Sequence, residues 1–258
     1  MKIVLTGASG AIGKELIRQC PHLITPIKVR ANDVSELSVL EDGDTLIHAA
    51  ALVHSEDFEA LFSANVELPM RILENVSKSG KNIKVLLVGS MSILGSSGSI
   101  QSPADMSKYA YSKYMMEALS GRYENTQVVR FSTIFYRDPT KDGLSKVIHT
   151  AKHAGKVRVS MCERDFIPLS KACYALLALC RPPYSTMICP GPITIASGKS
   201  TKLWNLARHL QQKFGFELER SLEASNRVCS HFAASEFYGL PSQYMNIYQE
   251  AEDYFINA

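Results

Sequence analysis

The chain has 258 residues, enough for one large domain or a domain with a small appended lobe. Apolar residues make up 46% and charged residues 21%, with a formal net charge of +3, the balance of a globular protein with a sizeable core. There is no basic run and no acidic tail, so no nucleic-acid partner is expected, while an anionic ligand stays open.

Taken in chain order, four short apolar runs read as buried strands: KIVLTG (2–7), TLIHAAA (45–51), KVLLVGS (84–90) and QVVRFSTIF (127–135). They lack the alternation of a half-exposed sheet, which suits parallel strands covered on both faces. Helical stretches fall between them at 11–20, 58–80 and 109–123, with Pro69 marking a break or a new first turn. ITPIKVR (24–30) can supply a second strand, and Asp33 or Ser35 can start a short helix after it. Beyond residue 136, amphipathic helices are expected at 143–155, 170–180 and 201–215, a strand at 157–167 and a proline-rich loop at 182–192. Alternating strand and helix predicts an α/β fold, a doubly wound parallel sheet with a small C-terminal substrate lobe over the sheet's carboxyl edge. The expected division is a dinucleotide-binding core over 1–136, with elements from 157–195 returning to it, and a lobe from most of 137–258.

No apolar stretch approaches the roughly 20 residues of a membrane span, and no charged-then-apolar leader precedes the first strand, so a cytoplasmic protein without a membrane partner is expected. Cys20, Cys162, Cys173, Cys180, Cys189 and Cys229 are scattered, with no C-x-x-C pair and no histidine at ligand spacing. They read as reduced thiols and buried filler, with no metal site. His48 lies in an apolar strand and reads as core.

TGASGAIG (6–13) places glycines at 7, 10 and 13 directly after a buried strand and at the start of a helix. A purely structural turn is one reading. The other is a pyrophosphate cradle, in which the first glycine makes the turn, the second admits the ligand and the third lets helix meet strand. Free N–H groups and the positive end of the helix dipole would then face the phosphates. The strand-turn-helix context favours the cradle.

The same residues carry a family resemblance. TGASGAIG resembles the TGxxGxxG fingerprint of the extended short-chain dehydrogenase/reductase superfamily, in the form used by its NAD-dependent epimerase/dehydratase (nucleotide-sugar) family. LIHAAA (46–51) resembles the family's VIHLAA, ANVELPMRILENV (64–76) its NVxGTxxLL helix, LLVGSMSILG (86–95) its SSxxVYG strand end, YAYSK (109–113) its YxxSK, and ERDFI (163–167) its RDFIHV. The resemblance implies a Rossmann core whose cofactor-binding residues are Gly7, Ser9, Gly10, Ala11, Ile12, Gly13, Arg30, Ala49, Ala50, Ala51, Asn65, Tyr109 and Lys113. It implies Ser90, Tyr109 and Lys113 as catalytic residues, with Ser90, Ser92 and Arg164 on the substrate. In many relatives the helices matching 58–80 and 109–123 form the bundle of a homodimer; these residues by themselves leave the oligomeric state open.

Tyr109 and Lys113 stand one helical turn apart, and an ammonium there is expected to lower the phenol's pKa. The phenol could then trade a proton with a substrate hydroxyl or carbonyl. Ser90 is followed by Met91 and Ser92 where the family's 4,6-dehydratases have Asp-Glu, which argues against that dehydration. Arg30 stands where NAD readers carry an acid, and its guanidinium suits a 2′-phosphate, so NADP is favoured over NAD. Arg164 suits a substrate diphosphate; its alternative is a surface arginine paired with Glu163 or Asp165. The sequence reading is an NAD(P)-dependent oxidoreductase or epimerase acting on a nucleotide-linked sugar. Its alternatives are a reductase of a non-sugar carbonyl or alcohol, and a non-catalytic NAD(P)-binding regulatory protein.

Overall fold

The structure, a computed structural model, describes residues 2–95, 98–221 and 246–258. The chain divides into two compact units. One comprises Met1–Ile93, Gln101–Phe131 and Cys173–Thr194; the other comprises Leu94–Ile100, Ser132–Ala172 and Ile195–Ala258.

The first unit opens with β1 (Ile3–Thr6), all four residues of which are buried. Then come α1 (Ala11–Gln19), β2 (Ile24–Ile27), a 3-10 turn at Ser35–Val39 and β3 (Thr45–His48). β2 is an edge strand, and two of its four residues, Thr25 and Pro26, are exposed. A proline without an N–H is tolerated at such an edge. α2 (Phe58–Phe62) is capped by Asp57, whose side chain accepts the Glu59 and Ala60 N–H groups. A π-helical turn at Ser63–Glu67 leads into α3 (Leu68–Lys78), with Pro69 in its first turn. β4 (Lys84–Ser90), α4 (Lys108–Ser120) and β5 (Thr126–Phe131) complete this stretch. All pairings among β1 to β5 are parallel. Val4 of β1, Leu46 of β3 and Val85 and Leu87 of β4 pack against Ile72, Leu73 and Val76 of α3 and Met116 of α4 on one face of the sheet, and Ile3, Leu5, Ile47 and Leu86, which alternate with them, are buried too.

The expected strand over 127–135 is two strands in two sheets. The chain leaves the first sheet at Ser132, whose N–H donates to Ile195 O (3.0 Å), and continues as β6 (Thr133–Phe135). α5 (Gly143–Ala154) follows, closed by Gly155 in the left-handed region (φ 65). The expected strand over 157–167 is likewise broken, at residues 160–162, into β7 (Lys156–Val159) and β8 (Glu163–Pro168). α6 (Leu169–Ala178) begins in the second unit and runs into the segment that returns to the first, ending at β9 (Ile193–Ile195). The first sheet then has the order β2-β1-β3-β4-β5-β9. This is an α/β fold with a doubly wound, Rossmann-type sheet.

β10 (Ser200–Lys202) pairs antiparallel with β8, and β8 parallel with β6. α7 (Leu203–Phe214) ends at Gly215 (φ 74), and β11 (Glu217–Arg220) pairs parallel with β7. α8 (Ile247–Asn257) has no counterpart in the sequence reading. Its Ile247, Ala251 and Tyr254 pack with Leu206 and Leu210 of α7 and Leu144 and Ile148 of α5 in the core of the second unit. Glu252 of α8 holds His209 (2.6 Å) and Lys213 of α7.

Among the described residues no helix is long and apolar enough to cross a membrane. Cys20, Cys162, Cys173, Cys180 and Cys189 are free thiols; Cys229 lies outside the described residues.

Candidate active site

Gly7, Gly10 and Gly13 form the turn between β1 and α1, and their constraints differ. Gly7 has φ 79, and a Cβ on it would lie 2.5 Å from the Ala50 backbone nitrogen. A Cβ on Gly13 would lie 2.2 Å from Gly7 O. Both glycines are demanded by the chain's own backbone. Gly10 is not: it has φ −74, and its Cβ would meet only Gly7 O, at 3.3 Å. Gly10 is also the N-cap of α1, where no side chain caps the helix. The Ala11, Ile12 and Gly13 N–H groups therefore start the helix without intrahelical partners. A glycine that the fold does not need, beside uncapped N–H groups, fits a phosphate that must come close to backbone. Ser9 is exposed in the same turn. Ala49 donates its N–H to Thr6 O (3.2 Å), which sets Ala49, Ala50 and the exposed Ala51 beside the glycine turn at the end of β3.

Arg30 lies three residues past β2 and is exposed. Its backbone pairs with that of Asp33 in both directions (2.8 and 3.0 Å). The first carboxylate to reach back to the end of β2 is Glu36, which accepts the Lys28 N–H (2.8 Å). Arg30 and Lys28 are the side chains presented there.

Ser107 caps α4 by accepting the Ala110 N–H (3.2 Å), which fixes the start of the helix carrying Tyr109 and Lys113. Tyr109 is half-buried, and its hydroxyl lies beside Ser90 at the end of β4. Burial raises the phenol's pKa above its usual 10, and the neighbouring Ser90 hydroxyl opposes the rise. This corrects the expectation that Lys113 lowers it. The Lys113 ammonium instead donates to Val88 O (2.9 Å), and with the residue only 2% exposed its own pKa is pushed down to about 8 by burial. His48 shares this interior. Burial, then the Lys113 charge, pushes its pKa down to about 3, so the imidazole is neutral. Nδ1 of His48 bonds Thr6 Oγ1 (2.6 Å), and Nε2 is buried with no partner among the described residues.

Asn65, expected at the cofactor, is held within the protein by three hydrogen bonds. Its Oδ1 accepts the Leu52 N–H (2.8 Å), and its Nδ2 donates to Leu52 O (2.7 Å) and Ser112 Oγ (3.0 Å). Ser112 in turn donates to Tyr109 O (2.8 Å). Asn65 thus ties the loop after β3 to the helix of Tyr109. Ser92 is exposed, accepts from Ser90 (Oγ–Oγ 2.9 Å), and has its carbonyl held by Gln101 Nε2 (2.8 Å). Gln101 and Ser112 escaped the sequence reading. Ser112 is the serine of YAYSK, a signal that could have found it; Gln101 carries no pattern.

These residues all belong to the first unit. Arg164 belongs to the second, on β8 opposite Thr201. Of the acids beside it, Glu163 accepts from Ser200 Oγ, and Asp165 accepts the Ser197 N–H (2.9 Å). Among the described residues no group of three or more His, Cys, Asp or Glu side chains could hold a metal ion.

An α/β sheet of this order, with a glycine turn after β1 and a hydroxyl pair at the end of β4, defines a Rossmann-type protein of the dinucleotide-binding class. A sequence profile of the NAD dependent epimerase/dehydratase family matches residues 3–139, over half of the chain, and the chain belongs to that family. No curated protein matches it in sequence. Among solved structures it resembles a UDP-glucuronic acid 4-epimerase mutant from Bacillus cereus in complex with UDP-4-deoxy-4-fluoro-glucuronic acid and NAD. That match has TM-score 0.80 and 16% identity, and covers 100% of this chain and 99% of the other. RMD from Pseudomonas aeruginosa complexed with NADPH matches with TM-score 0.79 and 16% identity, over 99% of this chain and 98% of the other. The NDP-hexosamine 5,6-dehydratase TunA, described as NAD dependent, matches with TM-score 0.78 and 17% identity, over 100% and 98%. At these identities the likeness establishes the fold, and the three neighbours do not share one reaction.

Proposed function

We propose that the chain is an NAD(P)-dependent oxidoreductase or epimerase acting on a nucleotide-linked sugar through Ser90, Tyr109 and Lys113. The observation that carries this reading is the placing of the Tyr109 hydroxyl beside Ser90 at the end of β4, one helical turn from the buried Lys113 ammonium. Gly7, Gly10 and Gly13, with the uncapped start of α1, would hold the pyrophosphate. Ala49 to Ala51 would border the dinucleotide, and Tyr109 and Lys113 its nicotinamide ribose. When bound, the nicotinamide supplies or accepts a hydride. Tyr109 then exchanges a proton with the reacting oxygen, and Ser90 donates a hydrogen bond to it. The raised pKa keeps Tyr109 protonated at neutral pH, the form that donates to a carbonyl being reduced, and so supports reduction. Met91 and Ser92 offer no carboxylates after Ser90, which supports hydride chemistry without 4,6-dehydration. Lys28 and Arg30 past β2 support NADP over NAD. Arg164 is assigned to a substrate phosphate, and Ser92 to the substrate's rim.

The reading extends to a homodimer through the helices over 58–78 and 108–120, supported by the Phe58–Tyr111 stack (5.8 Å between ring centroids) beside the exposed Phe62. Sedimentation checks it.

Thermal shift with NADPH and NADH tests the cofactor, because a ligand of the folded state stabilises it by mass action. NADPH is expected to give the larger shift; equal shifts, or none, count against the preference for NADP or against binding. Turnover is then measured on UDP-glucose and UDP-glucuronic acid. Tyr109→Phe is expected to reduce it by at least about 100-fold, the contribution of a positioned acid-base. An unchanged rate removes Tyr109 from the chemistry, and cofactor binding without turnover in wild type favours the regulatory alternative.

A further inference from the structure

Two of the chain's seven histidines meet on the surface of the second unit. His149 and His153 lie one turn apart on α5, and a spacing of four puts both imidazoles on one side of the helix. Their ring centroids are 4.3 Å apart, with 46° between the planes, and both residues are exposed. The helix is fixed in its rotation, because Leu144, Ile148 and Ala151 on its other side are buried in the core of this unit. His153 stands in the last turn, where the negative end of the helix dipole favours a cation. Two lysines flank the pair. Lys152 is turned to Ile256 O (2.9 Å), and Lys146, one turn earlier, is exposed to water, where salt screens its charge.

Neutral imidazole is a ligand for Zn2+, Ni2+ and Cu2+, with metal–nitrogen bonds of about 2.0–2.1 Å. Two such bonds on one ion, at the roughly 90–109° of square-planar to tetrahedral geometry, put the ring centres about 4.5–5.2 Å apart. The observed 4.3 Å is a small side-chain rotation short of that range, and nothing buries either ring against such a rotation. We propose that His149 and His153 together bind one divalent transition-metal ion, with water in its remaining coordination positions. A pair of ligands leaves the ion open on its solvent side, unlike a closed structural site. None of the residues of the Ser90–Tyr109–Lys113 reading takes part, so the two stand or fall separately.

Calorimetric titration of the untagged full chain with Ni2+ tests it without substrate or cofactor. At about pH 7.5 wild type is expected to bind one ion. His149→Ala and His153→Ala are each expected to weaken that binding at least about tenfold, since loss even of a group that supports a metal ligand costs about that much. His22→Ala and His54→Ala, which remove other exposed histidines, are expected to bind as wild type does. At about pH 5, where an imidazole is ordinarily protonated and has no lone pair to give, wild type is expected to lose the ion. Urea unfolding supplies a second readout. The pair exists only while α5 is folded, so Ni2+ should raise the urea midpoint of wild type and leave those of His149→Ala and His153→Ala unchanged. Both positions are exposed, so the alanine variants keep their fold, and their midpoints without metal register it. No binding by wild type, or binding that survives either alanine substitution or acidification, overturns the site.

Discussion

Lys113 is the residue where function and stability pull apart. Its ammonium is held in the interior by one carbonyl, and burial pushes its pKa down to about 8 from 10.5. Between those values the folded chain binds fewer protons than the unfolded chain, so stability rises with pH across that window. Below about 8 the burial cost is present in full. Lys113→Met removes the charge and keeps the length of the side chain. At pH 7 the variant is expected to be more stable by up to about 3 kcal/mol, the energy of the shift, and to lose turnover. Urea denaturation of both proteins should show the gap closing as pH rises from about 8 towards 10.5. A gap that does not change with pH would place the cost in packing instead of charge.

At the scale of elements, α1 and the turn before it separate what the fold needs from what a ligand needs. Gly13→Ala drives a Cβ into the Gly7 carbonyl and is expected to cost more than about 3 kcal/mol, because backbone on both sides has to move. Gly10→Ala has acceptable backbone angles and a contact of only 3.3 Å. It is expected to stay within about 0.5 kcal/mol of wild type in denaturation while NADPH titration shows a tenfold or greater loss of affinity. Unchanged affinity in Gly10→Ala would remove the second glycine from any phosphate cradle. The same elements explain how far the sequence could be read. β1, β3, β4 and β5 are covered on both faces, so their apolar runs stand out. β9 and β10 have three residues each, too few for a period to show. β11 is half-exposed or exposed along its length, and β7, its partner, lies 61 positions earlier, beyond any local pattern. The places of the glycine turn, Ser90, Tyr109 and Lys113 in the fold were legible, because each lies at the end of an apolar run or on one helical turn. The roles of Asn65 and Ser112 were not, because their hydrogen bond joins residues 47 apart. Nor was the direction of the Tyr109 shift, which depends on burial and on where Lys113 points.

In the whole molecule, distant segments are joined by buried polar groups as well as by the core. The Lys84 ammonium, at the start of β4, donates to Leu179 O (3.2 Å), Tyr184 O (2.6 Å) and Met187 O (2.9 Å), and no carboxylate is among these partners. Gln127 of β5 accepts the Cys189 N–H (2.8 Å) and donates to Gly191 O (2.7 Å). Both anchor residues 173–194 to the first unit. Lys84→Met fills the same space but leaves three carbonyls without their donor. It is expected to cost about 2–4 kcal/mol in global stability, read by thermal or urea unfolding. A loss below about 0.5 kcal/mol would mean that other contacts hold the segment.

The late return of residues 173–194 has a consequence for synthesis. A nascent chain released through residue 131 has made five of the six strands, yet Lys84 and Gln127 still await acceptors and a donor encoded some fifty residues downstream. The first unit is therefore not contiguous in the chain: a fragment ending at residue 131 lacks β9 and the acceptors of Lys84. A minimal version would have to splice 173–195 behind β5 with a short linker, and ribosome-bound intermediates should acquire protease resistance only once that stretch has cleared the exit tunnel.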